Sequence, residues 1–173
     1  SGYSLPVVSP KGELLGHCGD GNRKDIRNAV EAARKAGGWT QATGHNRAQV
    51  LYYIAENLSA RADEFAARIS QQTGCSTKQA GEEVDAAIQR LFSYGAWADK
   101  YDGAVHSVPM RGVALAMHEA NGVMGLVCPD EQPLLGFISL VAPAIAMGNR
   151  VVVIPSQSSP LSALDLYQVL DTS

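Results

Sequence analysis

Apolar residues along this chain keep a spacing of three and four for roughly the first hundred positions, then shift to alternation and to short unbroken runs. The first twenty residues stand apart: Val7-Val8, the Ser9-Pro10-Lys11-Gly12 turn and Glu13 to His17 predict a hairpin. Ile26, Ala29, Val30 and Ala33 then give one face of an amphipathic helix, entered through Asp20-Gly21-Asn22 and ending near Gly37-Gly38. A second helix is predicted from about Asn46, where Asn46 and Gln49 have capping-box spacing, with Val50, Leu51, Ile54 and Leu58 as its buried stripe. A third runs from about Ala62 to Gln72 and stops at Gly74. A fourth starts at Ser76, again with Gln three residues on, and turns Val84, Ile88, Leu91, Gly95 and Ala98 to one side. Trp39 and Trp97 fall at helix ends among small residues, where they are expected to anchor packing between helices.

After about residue 102 the period changes. Val105 to Val108 and Gly112 to His118 predict two strands joined at Pro109-Met110-Arg111, with Val113, Leu115 and Met117 on one side and Ala114, Ala116 and His118 on the other. Neither side is strongly charged, so the arm is expected to be an association surface. Gly122 to Cys128 and Arg150 to Ile154 read as fully buried strands of the parallel kind. Between and after them, Pro133 to Met147 and Pro160 to Leu170 read as helices with Pro at their starts. Strand, helix, strand, helix is a βαβα unit and implies an α/β fold with the first part of a Rossmann-like parallel sheet. The organisation expected is residues 1–102 as hairpin and helices, 103–120 as the arm, and 121–173 as a βαβα unit that breaks off after two parallel strands.

Charge and composition narrow the partners. Lys plus Arg number 14 and Asp plus Glu 17, so the formal charge is −3 and no basic stripe suits a nucleic acid. The longest apolar run, Leu134 to Met147, is short of the ~20 residues that span a bilayer. Ser1 to Leu15 lacks a signal peptide's charged start and apolar middle, and three cysteines without CxxC spacing fit a reducing compartment, so a cytoplasmic location is expected. Four scattered histidines predict no metal site.

The stretch from Gly122, GVMGLVCPDEQPLLGFISLVAPAIAMGNRVVVIPSQSSPLSAL, resembles the opening of the nucleotide-binding domain of aldehyde dehydrogenases, which typically reads GVVGxIxPWNFPLL and then PALAxGNxVVxKPxExTPLxAL. Upstream, QTGCSTKQAGEEVDAAIQRLFSYGAWADKYDG is similar to that family's ETGKxxxEAxxEVDxAxxxxxYYAxxADxxxG, and the likeness extends to the first residues. The resemblance implies an incomplete aldehyde dehydrogenase fold with a hairpin arm used for oligomerisation.

Three departures bear on activity. The family's oxyanion-stabilising Asn falls on Glu131, whose carboxylate would repel the charge it should stabilise; losing one such donor costs about 3–4 kcal/mol in the transition state. The Lys and Glu that hold the adenosine ribose fall on Ile154 and Gln157. Each lost charge-assisted bond is worth about 1.5–3 kcal/mol, so NAD would be weakened roughly a hundredfold. The family's Gly-rich turn, general-base Glu and nucleophilic Cys map onto no residue here. Cys128 aligns with a nucleotide-pocket position, beside Pro129 and, further on, Ser156, and is expected to pack as a small hydrophobe.

Asp130 and Glu131 could be an acid/base pair but are expected to be solvated loop residues; His106 and His118 could be proton shuttles but, placed on the paired strands, are expected to be surface or edge residues. The pattern most resembles the degenerate second repeat of family 16 aldehyde dehydrogenases. It implies a non-catalytic module for assembly, with no cofactor or only weak NAD or NADP, and with a second copy or a sister repeat as partner. The alternatives are part of an active NAD(P)-dependent aldehyde dehydrogenase, and a nucleotide sensor without turnover.

Overall fold

Side chains just ahead of each helix decide where it begins. In the computed structural model, which describes residues 2–173, the first helix α1 (Arg23–Lys35) is closed by Asn22. Its Oδ1 accepts from the N–H of Lys24 at 2.8 Å and of Asp25 at 3.2 Å, and the Asp25 carboxylate accepts the Asn22 N–H in return. A single turn, α2 (Gly38–Gln41), precedes α3 (Gly44–Ala60). The expected cap at Asn46 does not form. The Thr43 hydroxyl reaches the Asn46 N–H at 3.1 Å first, so α3 starts earlier. Helix α4 (Ala62–Thr73) ends at Gly74, whose φ of 74° is the left-handed conformation that releases a chain from a helix. The Ser76–Gln79 box opens α5 (Thr77–Ala98), as its spacing predicts.

Three short sheets complete the chain. Strands β1 (Ser4–Val8) and β2 (Leu14–Gly19) form the N-terminal hairpin, with a register shift at Val7/Val8. Strands β3 (Ala104–Ser107) and β4 (Val113–Ala116) form the arm and pair Val105 with Leu115 and Ser107 with Val113. Strands β5 (Val123–Val127) and β6 (Arg150–Ile154) are parallel, joined by α6 (Pro133–Ala146) and followed by α7 (Leu161–Asp171). The α/β architecture is as expected.

The core lies where α3, α4, α5, α6 and α7 meet. Leu51, Leu58, Phe65, Ile69, Val84, Leu91, Leu134, Ile138 and Leu166 are fully buried there, each worth about 1.5–3 kcal/mol of transfer free energy. Helix α6, the centre of this layer, is bound at its C-terminal end by earlier parts of the chain. Trp39 Nε1 donates to the Ile145 carbonyl at 3.0 Å, Thr40 Oγ1 to Gly148 at 3.1 Å, and Arg47 Nε to Ala146 at 2.9 Å. Ile145 and Ala146 lie in the last turn of α6, whose carbonyls lack a full set of helical partners, and Gly148 follows just beyond it. Trp39 thus anchors packing, but Trp97 does not: it is 57% exposed, on the outward side of the last turn of α5.

Strands β5 and β6 are not fully buried. Leu126, Val151 and Val153 turn to the core, whereas Val123, Gly125, Val127, Val152 and Ile154 line a groove of about 370 Å³ against Ile26 and Val30 of α1. Val127 and Ile154 are exposed, and α1 itself buries no residue completely. One helix covers that face only in part, and each strand has one unpaired edge. Both runs are continuous because of composition, and the second face stays half wet.

Candidate functional site

The expected site residues gather at the C-terminal ends of β5 and β6, where open α/β sheets bind their ligands. Parallel pairing sets Val127 beside Ile154, and the Cys128 N–H donates to the Ile154 carbonyl at 2.9 Å. Cys128 is buried, and burial pushes its thiol above the ordinary value; it packs into the core as a small apolar group. Ile154 presents an exposed aliphatic branch. Pro129, Asp130, Glu131 and Gln132 carry the chain from β5 to α6, and Pro155 to Pro160 carry it from β6 to α7.

Asp130 joins these two loops. Its Oδ1 accepts from the Ser156 hydroxyl at 2.8 Å and from the Ser158 N–H at 3.1 Å, while the Ser156 Oγ accepts the Ser159 N–H at 3.0 Å. The Ser158 N–H, then the Ser156 and Ser158 hydroxyls, hold the Asp130 carboxyl below its ordinary range. Ser156 is almost wholly buried and Gln157 is exposed. Asp130 is an exposed loop residue, as its position suggested, but its carboxylate is tied to the neighbouring loop. Glu131, next to it, is exposed.

The loop's path to α6 is tightly fixed. Gln132 adopts φ 50°, ψ 65°, a left-handed conformation that a side-chain-bearing residue takes only under constraint. Four residues on, a Cβ at Gly136 would lie 2.7 Å from Pro129 Cγ, so the loop folds back onto a bare backbone. Gln132 provides no side-chain cap for α6. Glu83 of α5 does so instead, accepting the Leu134 N–H at 2.9 Å and the Leu135 N–H at 3.2 Å with one oxygen. Beside this junction lies a pocket of about 400 Å³ lined by Cys75, Gln79, Glu82, Glu83, Gln132 and Leu135 among others. The pattern did hold a signal for Glu83: it sits three residues after Ala80 and four before Ala87, inside the buried stripe, where a carboxylate needs a partner.

On the arm, Val113, Leu115 and Met117 are 70%, 64% and 72% exposed, and Val105 lies opposite Leu115. His106 and His118 are exposed, as expected; His118 stacks on Tyr101 with ring centroids 4.5 Å apart. Among the described residues no group of His, Cys, Asp and Glu could hold a metal, and no helix is long and apolar enough to cross a membrane.

The model of the aldehyde dehydrogenase family matches residues 1–173. The chain belongs to that family. It is 36% identical over 171 residues to a mitochondrial benzaldehyde dehydrogenase of Antirrhinum majus, covering 95% of this chain and 32% of the relative. To the mitochondrial aldehyde dehydrogenase family 2 member B4 of Arabidopsis thaliana it is 33% identical, over 94% of this chain and 31% of the relative. A betaine aldehyde dehydrogenase of Staphylococcus aureus, solved with NAD+, superposes with a TM-score of 0.94 over 98% of this chain and 35% of that one. Identity there is 24%, so the likeness concerns the fold. This aldehyde dehydrogenase chain spans about a third of the length of the relatives it matches.

Proposed function

We propose that this member of the aldehyde dehydrogenase family is a non-catalytic module whose work is assembly, similar to the degenerate second repeat of family 16. The observation that carries the reading is the state of the β5–β6 strand ends. By the family's pattern a bound dinucleotide would need a charged donor for its ribose at position 154 and a carboxylate acceptor at position 157, with a free polar group at 156 between them. Ile154 has no donor, the Ser156 hydroxyl is spent on Asp130, and Gln157 carries no charge. These residues do not fit the cofactor. At the position of the oxyanion donor stands Glu131, a carboxylate in solvent. The part left for the module is association through the arm, residues 103–120, with Val113, Leu115 and Met117 as the contact and a second copy or sister repeat as partner. A cytoplasmic location goes with this reading.

Two measurements test it. Calorimetric titration with NAD and with NADP is expected to give no submillimolar binding; affinity in that range would end the reading. Sedimentation is expected to show an assembled species that Leu115→Glu dissociates. An unchanged mass distribution would remove the arm from the proposal.

A second reading has the relatives' names behind it. The 36% identity to a benzaldehyde dehydrogenase favours a portion of an NAD(P)-dependent enzyme that oxidises an aldehyde to an acid, with this chain contributing one wall of the nucleotide pocket. The same titration separates the two.

A further inference from the structure

We propose that the crevice at the ends of β5 and β6 is filled from within, and that Asp130 is the residue that shuts it against phosphate-bearing ligands. The inference rests on the reading of the site as non-nucleotide-binding and supplies a physical cause for it beyond the missing ribose contacts.

Anionic ligands at such crevices are held by backbone N–H groups of loops and helix N-termini. In this chain several of those groups already have internal partners, at three places around the crevice. At the start of α6, the N–H groups of Leu134 and Leu135 are taken by the Glu83 carboxylate. At the start of α7, the Leu161 N–H is taken by Gln72 Oε1 at 2.7 Å, from a side chain that is itself buried. Between them, the Ser158 N–H and the Ser156 hydroxyl are taken by Asp130, and the Ser159 N–H by the Ser156 oxygen.

Glu83 and Gln72 are deep, and their removal would disturb packing. Asp130 is exposed, sits at the mouth, and bridges the two loops by itself, so it is the group an incoming ligand would have to displace. A phosphate approaching the Ser158 N–H meets a carboxylate on the same donor, with the Glu131 carboxylate next along the chain. Like charge at that distance opposes binding, and the donor is not free to compensate it. Asp130 thus acts in the place of a ligand: it satisfies the loop donors, ties the loops together, and presents negative charge outward.

The test uses the whole chain and two variants at one exposed position. Asp130→Ala removes both acceptor and charge; Asp130→Asn keeps an acceptor oxygen and removes the charge. Amide hydrogen exchange at Ser158, and titration with inorganic pyrophosphate and with NADP, are read for each. The expected result is at least tenfold faster exchange of the Ser158 N–H in Asp130→Ala, near-wild-type exchange in Asp130→Asn, and at least tenfold tighter pyrophosphate binding in Asp130→Ala than in wild type. Pyrophosphate affinity equal in wild type and Asp130→Ala overturns the proposal, and so does unchanged Ser158 exchange in Asp130→Ala. The non-catalytic reading fails on a different result, submillimolar NAD binding by the unaltered chain, so the two can fall separately.

Discussion

Replacing Glu83 tests how α6, and with it the loop carrying Asp130 and Glu131, is held. Glu83 is 7% exposed and gives one oxygen to two backbone N–H groups in the first turn of α6, where the preceding Gln132 offers no cap. Glu83→Leu keeps an apolar filling but leaves both N–H groups buried without acceptors. An orphaned buried donor costs about 1–3 kcal/mol, so the variant is expected to lose about 2–5 kcal/mol of stability. Glu83→Gln keeps an oxygen in reach of both donors. It gives up attraction to the positive end of the helix and is relieved of burying a charge, so it is expected within about 1 kcal/mol of wild type.

The pH profile provides a second signature. Burial pushes the Glu83 carboxyl above its ordinary value of 4.5, against the pull of the Leu135 and Leu134 N–H groups. The folded chain therefore binds this proton more tightly than the unfolded chain. Its contribution falls as pH rises from below 4.5 through the folded-state value and is level above it. Glu83→Gln removes that fall. Denaturant unfolding followed by far-UV circular dichroism between pH 4 and pH 8 measures both effects. If Glu83→Leu unfolds at the wild-type midpoint, or Glu83→Gln falls as far as Glu83→Leu, the capping role is refuted.

Two further substitutions probe the supporting layer. Ile138→Ala, at a fully buried position of α6, is expected to lower stability by about 2–5 kcal/mol in the same unfolding assay; a loss under 1 kcal/mol would mean the site collapses without a cavity. Gly44→Ala places a methyl 2.6 Å from the Ala98 carbonyl oxygen, a backbone atom that moves only if α3 and the end of α5 part. A cost of about 1–3 kcal/mol is expected, and an unchanged melting temperature would contradict the contact.

Much of this architecture was legible because its signals are local. Ser76 and Gln79, the Gly74 stop and the Val84–Leu91 stripe each act within a turn or two, and each appears as its spacing implied. The start of α3 was misplaced because two polar residues three positions apart could each cap it, and the hydroxyl of Thr43 took the N–H that decides the boundary. The burial of β5 and β6 was overstated because a run of valines has the same form whether one face or both are covered. At the candidate site, sequence located Cys128, Glu131, Ile154, Ser156 and Gln157 at the strand ends. It could not see that Asp130 reaches across 26 positions to Ser156, or Glu83 across 51 to Leu134. Such bonds depend on how the layers dock, which no window of neighbouring residues contains.

Helix α6 receives Glu83 at one end and Trp39, Thr40 and Arg47 at the other, all from chain laid down well before it. Its amino-acid run is almost wholly apolar, and the polar groups that satisfy both tips come from elsewhere in the chain. A βαβα piece cut out from residue 121 onward would leave the scaffold that completes those tips behind. The helix would then have to leave its tips to water, and the strand-end loops would lose the fixed strut from which they hang.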